Sequence, residues 1–558
     1  MKNEKIGLIL SMLICLFSII STTIFNGYND SRLQIVLLGM ISIVSFFIYK
    51  LNSNEYPYIL YFLSLALLFH TSLVTSYIWG WDINKEYNIA NNVLVNNFWN
   101  INTSSGLNSM ITTVIFSPLL NLISNINLVW IYKIIIPIIF AFVPVVIYLI
   151  CSKIFNKIIA IYAGLFLIFT VIFYTEMLQL VRQQIAELIL VLLLYTYLIK
   201  KERNDNKQYI PIILLLIITL VLSHYALTYI YIFIFTSGYI LYKISKKNDL
   251  FKLDFKIPIN HIIFLTAFAV IWYFYTSTSD NIFNLLYNVK TIYTHVTTDL
   301  FNPQSTEALK LIVTSQATIF QNINKIFLIF FQFMIFIGLT TTILKNKKNI
   351  HTFIIISLIN ILFLISNIVL PYLSNSLNTT RIYHISILIL SPFAIVGLIL
   401  SINIIPKLKT KNNFIIISLL LIIYFNLQNG LVYNFVGINS SIALSKNVDY
   451  PLVANTDLSV SDWFIQHSNN KNIYADANRI YMYASKGYKN IAEIRTDIPG
   501  NSTIYLSKYN VKSDELTIIQ NDKYTHVKYN FNQINVNTIY ANDNSKLLYN
   551  QKELIIIK

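Results

Sequence analysis

Charged side chains make up only 12% of this 558-residue sequence, so each one in or beside an apolar run is a candidate for chemistry. The densest case is Trp79-Gly80-Trp81-Asp82-Ile83-Asn84-Lys85-Glu86-Tyr87. If this segment is helical, a spacing of four puts Asp82 and Glu86 on one face, with aromatic neighbours to anchor it at the level of lipid headgroups. A plainer use competes: Asp82 caps a helix that starts a loop and Glu86 is solvated. A second group is Tyr174-Thr175-Glu176-Met177, followed by Arg182, Gln183, Gln184 and, more than a turn deeper, Glu187. This is too polar for lipid contact and must face inward, as a structural pair of Arg and carboxylate or as the lining of a hydrated cavity. A third is Asn378-Thr379-Thr380-Arg381-Ile382-Tyr383-His384. Arg381 and His384, three apart, share a helical face and suit a phosphate, the guanidinium as a fork and His as a second donor or proton source. The plainer use of Arg381 is snorkelling to the interface, and snorkelling alone accounts for Lys133.

The elements that must position these groups are set by composition. Hydrophobic residues are 55% of the chain and mean hydropathy is +0.59, more apolar surface than one globular core can bury. An ordinary soluble enzyme is excluded, and a multi-pass membrane protein is expected. The net charge of +16 comes from 41 Lys+Arg against 25 Asp+Glu. The cations cluster between apolar runs, as cytoplasmic loops require, so no nucleic-acid partner is expected. Cys15 and Cys151 lie in or at the edge of apolar segments and read as two buried thiols.

Apolar runs of membrane-spanning length lie at Ile6 to Phe25, Leu33 to Leu51, Pro57 to Ile78, Leu128 to Ile150, Lys157 to Phe173, Val181 to Ile199, Pro258 to Thr276, Ile323 to Leu344, Thr352 to Tyr372, Ile382 to Ile402 and Asn413 to Tyr433. The stretch Tyr209 to Tyr242 is too long for one crossing, and the polar trio Ser223-His224-Tyr225 divides it in two. The fold class expected is therefore an all-α polytopic membrane protein of about 13 helices with a small C-terminal extracytoplasmic α/β domain. With that break, the Lys200 to Lys207, Lys243 to Lys247, Lys345 to Lys348 and Lys407 to Lys411 clusters share the cytoplasmic side with the N-terminus. Three divisions follow: two N-terminal helices at 1–56, a membrane domain at 57–433 with outer loops 79–127 and 277–322, and a soluble region at 434–558. The loop Val93 to Leu120 reads as one or two amphipathic surface helices. In the last region Ser461 or Asp462 is expected to cap a helix through Trp463, with a strand at Ile473 and a helix near Ile480 to Ser485 following.

The order of these motifs resembles the GT-C superfamily of integral-membrane glycosyltransferases, which includes protein mannosyltransferases and aminoarabinose transferases. The likeness runs from Pro57 to Tyr433: a span ending in Gly80-Trp81-Asp82, a first outer loop with amphipathic helices, and a second acidic loop at Glu176. The segments around Glu176, His224 and Arg381 are similar to a group of archaeal predicted membrane proteins to which no activity is attached. The resemblance implies an inverting glycosyltransferase that moves a sugar from a polyprenyl-phosphate donor to a protein, lipid or glycan acceptor at the outer face of the cell membrane. Asp82 would be the general base, with Glu86 as its partner and Glu176 as the second acidic site. In some members that second site helps hold a divalent metal, so Asp82 and Glu176 are the candidate ligands for Mg2+ or Mn2+. The chain departs from the pattern in three ways. Two spans precede the motif-bearing one, the first loop lacks a directly adjacent acidic pair, and the Trp-Trp-Asp motif of oligosaccharyltransferases is absent from the C-terminal region.

The chemistry suits these residues. A sugar on a lipid phosphate has a good leaving group, so the site needs a base for the incoming hydroxyl and cations for charge developing on phosphate. Arg381, with His384, Arg182 and His224, would hold that phosphate at headgroup level. Two other uses stay open: a lipid-linked glycan polymerase or ligase with an Arg/His-dominated site, and a flippase or transporter, which calls for repeats or broken helices at mid-membrane.

Overall fold

The computed structural model describes residues 5–199, 208–246, 252–346, 350–375, 377–404, 413–446, 448, 451–453, 455–467, 472–486, 488, 490–494, 503–507, 509–510, 515–520, 523–528, 538–543 and 546–550. The chain is mostly helical. Eight of the described helices are long and apolar enough to cross a membrane, or ten if two bent pairs each count as one span. Tyr209–Ser223 and Asn413–Gln428, both read as spans from the sequence, are shorter apolar helices. The difference from the expected count arises because an apolar run fixes composition, whereas helix length also depends on where polar residues break the backbone. Of the cationic clusters, Lys243, Lys246 and Lys345 are described, and those at 200–207 and 407–411 lie outside the described residues.

Three breaks shape the molecule. Lys157–Phe169 gives way at Thr170 to Val171–Gln179 with a bend of 64°, and Ile259–Tyr275 gives way to Ser277–His295 with a bend of 98°. The third falls on His224, as the polar trio implied. Its backbone is extended at φ −158° between helices Tyr209–Ser223 and Tyr225–Ser245, and its Nδ1 accepts the Leu227 N–H at 3.2 Å. With only 13 Gly in the chain, helix ends that need a left-handed residue use Asn instead: Asn29, Asn97 and Asn125 have φ of 57°, 52° and 57°. Asn tolerates this conformation better than other residues with a Cβ.

The core runs along the bundle. Its tightest crossing is Ile319–Lys345 against Thr379–Ile404, where Gly338 and Gly397 face each other so closely that a Cβ on either would overlap the other helix's backbone, at Phe393 and Met334. Small residues at such crossings let backbones approach and gain dispersion contact where lipid offers no hydrophobic drive. In the N-terminal helices, Gln34 ties Ile6–Tyr28 to Tyr56–Ser72 by contacts to Thr22 Oγ1 (3.0 Å) and His70 Nδ1 (2.6 Å). Both cysteines are buried and free.

The C-terminal region holds a five-stranded sheet. Its order is Ile491–Glu493, Ile473–Ala475, Thr503–Leu506, Thr538–Asp543, Lys546–Asn550, with only the last pairing antiparallel. The strand at Ile473 and the helix Ala477–Ser485, capped by Asp476, match the sequence. The first helix does not begin at Ser461 or Asp462; it starts at Asn455. Ser461 instead bonds its own helix at Leu458 and, with Asp462, receives the Lys486 amine. This region rests on the first loop: Pro451 accepts the Gly80 N–H at 3.2 Å, Tyr77 meets Ser485 at 3.2 Å, and Lys85 lies 5.4 Å from the Tyr481 ring centre.

Because Thr379–Ile404 carries Arg381 at its start, the glycine crossing also sets that side chain's position. Gly397→Leu should cost about 1 to 3 kcal/mol by overpacking and lower the melting temperature of the purified protein by several degrees. An unchanged melting curve would show that the helices can separate without cost.

Candidate functional site

The scattered charges of the sequence converge. Asp82–Asn96 forms a helix because Ile83, Tyr87, Ala90 and Leu94 make an apolar stripe at helical spacing. Asp82 is its first residue, and Trp81 occupies the cap position without a side-chain capping bond, so Asp82 does not serve as the cap. It is held in the cluster by Gly80, whose φ of +112° is open to glycine and whose missing Cβ leaves room for the Gln179 side chain. Asn84 closes the turn by donating to the Gly80 carbonyl at 2.6 Å. Lys133 does not snorkel. It is 3% exposed, and its amine donates to the carbonyls of Thr75 and Tyr77, at 2.8 Å to the latter, fixing the strand of chain that enters the loop.

One oxygen of Asp82, Oδ2, accepts from Nη2 of Arg182 at 3.0 Å and from Nη2 of Arg381 at 3.0 Å. Its other oxygen, Oδ1, has no partner among the described residues. Arg182, at the start of helix Val181–Ile199, also donates through Nη1 to Glu86 Oε1, and its backbone N–H meets Glu86 Oε2 at 3.3 Å. Its Nε–H, buried, has no partner among the described residues. Arg381 donates through Nε to Glu176 Oε1 at 3.1 Å. The Arg182 side chain is 5% exposed and that of Arg381 16%, so Arg381 is the more reachable cation and is not an interfacial snorkel.

The two carboxyls respond in opposite directions. Burial alone would raise Asp82, but the guanidiniums of Arg182 and Arg381, with Lys85, outweigh it and hold the group well below the usual carboxylate range. Glu86 is fully enclosed, and burial, with Asp82 adding repulsion, pushes it up to about 7 against the pull of Arg182. Below about pH 7 Glu86 is therefore protonated while Asp82 stays ionised between its two guanidiniums.

His384 does not join this cluster. It is fully buried, its Nε2 lies 3.1 Å from Glu187 Oε2, and Gln183 donates to the other Glu187 oxygen at 2.9 Å. The Arg381–His384 spacing was sound for one face, but the burial of Glu187 claims the imidazole. Glu187 was visible only as an odd charge in an apolar run; its partner on another helix was not. His224 is 1% exposed, within electrostatic reach of Arg182, Arg381 and Asp82, and its Nε2 is unpartnered among the described residues. Since Nδ1 accepts a backbone N–H, the neutral ring carries its proton on Nε2.

The Asp82 and Glu176 pair does not suit a divalent cation as arranged. The Arg381 guanidinium bridges the two carboxylates and supplies the charge an ion would bring. Among the described residues no group of three or more His, Cys, Asp or Glu is placed to share a metal.

A groove of about 1030 Å3 is lined by Tyr225, Tyr229, Phe233, Ile240, Leu362 and Ile382 among others. It follows helix Tyr225–Ser245 from Tyr225 to Leu241, roughly 24 Å at 1.5 Å per residue. Two of its lining residues, Tyr225 and Ile382, directly follow His224 and Arg381 in the chain.

The raised Glu86 carboxyl has a stability consequence. Between about 4.5 and about 7 the folded chain holds a proton that the unfolded chain releases, so stability falls as pH rises through this window. Glu86→Gln should flatten that part of the dependence of melting temperature on pH; an identical slope in the variant would assign the titration elsewhere.

No curated protein is significantly similar to the chain. A family model does match, over residues 211–555, a stretch that includes His224, Arg381 and His384 and leaves Asp82, Glu176 and Arg182 to the N-terminal side. The chain belongs to the family described as predicted membrane protein (DUF2206).

Proposed function

We propose that this protein is an inverting, GT-C-type membrane glycosyltransferase that transfers a sugar from a polyprenyl-phosphate donor to an acceptor at the outer face of the cell membrane. The observation that carries the reading is the placement of Asp82 between Arg182 and Arg381, with Ile382, the residue after Arg381, lining a long apolar groove. The donor's phosphate is a monoanionic diester on an isoprenoid tail. Arg381 answers the phosphate, and the groove answers the tail.

In the reaction the acceptor oxygen attacks the anomeric carbon, the bond from that carbon to the phosphate oxygen breaks, and polyprenyl phosphate leaves with the electron pair. The hydroxyl proton passes to Asp82, whose Oδ1 has no partner among the described residues. While both guanidiniums hold Asp82 it is a weak base. A phosphate that draws Arg381 away removes one of them and raises its basicity, so donor binding itself prepares the base. Glu176 then takes the role of the anion that Arg381 exchanges for phosphate, and Glu86 that of the neutral acid behind Arg182. His224 and the Arg182 Nε–H are further donors within the cluster. No step is routed through a metal.

In this reading the N-terminus is cytoplasmic, the short helices complete about 13 crossings, and the C-terminal region is extracytoplasmic and covers the acceptor side. The break at His224 lies within electrostatic reach of the two guanidiniums, and Ser277, just past the break at Thr276, donates its N–H to Ile101 of the first loop at 2.9 Å.

Mass spectrometry of surface glycoproteins and glycolipids tests the proposal. Cells carrying Asp82→Asn at matched protein levels should lose about a hundred-fold or more of one defined sugar addition, with its polyprenyl-phosphate donor accumulating. An unchanged glycan profile, where deletion of the gene does change it, would remove Asp82 as the base and favour the polymerase or ligase reading.

A further inference from the structure

A second cleft, of about 510 Å3, opens between helix Asp82–Asn96 and the C-terminal region. Asn88, Asn92 and Asn96 line it at a spacing of four, hence as one stripe along the helix face. Asn100, Asn108 and Thr103 complete the polar wall, Ile89 and Val93 the apolar floor, and the rings of Phe98 and Tyr488 stand in the same lining. Among the described residues no charged side chain contributes.

The amides divide into two sets. Asn108 is committed to the protein, donating to the Asn100 carbonyl at 2.9 Å and accepting the Trp99 indole N–H at 3.0 Å. Asn88 Oδ1 is buried without a partner, and the side chains of Asn92 and Asn96 bond nothing among the described residues. Phe98 is 67% exposed, so its ring face is open to a ligand in the cleft.

We propose that this cleft binds an uncharged glycan, the acceptor or the sugar chain that carries it, which rests on the glycosyltransferase reading above. Free amides offer a donor and an acceptor each, the pattern that vicinal hydroxyls need. The exposed Phe98 ring suits the apolar face of a sugar ring. The lining's described residues carry no charge, so among them a desolvated uronate, sulfate or phosphate would find no partner. Asn88 lies six residues, about 9 Å of helix rise, beyond Asp82 on the same helix.

The test is direct binding of neutral gluco- and manno-oligosaccharides, tetra- to hexasaccharides, to the purified full-length protein in nanodiscs, with oligouronates of equal length as the charged comparison. At least one neutral series should bind, and the uronates should bind at least ten-fold more weakly. Asn92→Leu combined with Asn96→Leu removes two sets of uncharged hydrogen bonds and should weaken binding about ten-fold. Ala484→Trp, which fills the cleft from the opposite wall, should do the same without touching the amides. Failure of every neutral oligosaccharide to bind, or binding that is as tight after both changes, overturns the proposal. Oligosaccharide binding through this cleft in a protein that transfers no sugar would instead overturn the transferase reading and leave the cleft standing.

Discussion

Everything at the proposed site depends on neutralising charge where water is scarce. Three carboxyl groups and two guanidiniums arrive from four separate stretches of chain, and none could be buried alone without a cost of several kcal/mol. Sharing solves the problem: one Asp82 oxygen serves both arginines, Arg182 reaches Glu86, and Arg381 reaches Glu176. The cluster is thus a structural clamp between the first loop, the second loop and two helices. It is also, in the same geometry, a set of cations whose anions can be exchanged.

The bundle is built to hold that clamp at one end. The glycine crossing between Ile319–Lys345 and Thr379–Ile404 fixes the rod on which Arg381 sits. Lys133 and Asn84 fix the chain on either side of Gly80, whose left-handed backbone turns Asp82 inward. The breaks at Thr170, His224 and Thr276 interrupt three helical runs, and Tyr225 and Ile382, the residues after His224 and Arg381, line the groove. Each of these features loses its purpose if Asp82 and Arg381 are far apart.

Much of this was legible in the sequence because charges in apolar runs are few and each demands an explanation. Asp82, Glu86, Glu176, Arg182 and Arg381 were all visible as such exceptions, and the His224 break followed from hydropathy and length. What the sequence could not show was partnership. Whether Arg381 faces a phosphate, a carboxylate or the headgroups depends on a helix some 200 residues away, and the same holds for His384 and Glu187. Lys133 misled for the same reason: its backbone acceptors belong to another segment, and no side-chain pattern marks a carbonyl. Ser461 and Asp462 carry cap chemistry and suggest a later start for the helix that begins at Asn455, yet Ser461 bonds within that helix and both receive the Lys486 amine. Helix lengths also escaped, since residues that keep a run apolar do not tell where its hydrogen-bond ladder stops.

The central claim is that Arg381 exchanges a carboxylate for the donor's phosphate. Native mass spectrometry of the full-length protein in nanodiscs, loaded with polyprenyl-phosphate hexose, tests it most directly. The account predicts one donor retained per wild-type chain, little retained after Arg381→Ala, and partial retention after Arg381→Lys, which keeps charge without the fork. Equal retention by wild type and Arg381→Ala would contradict it.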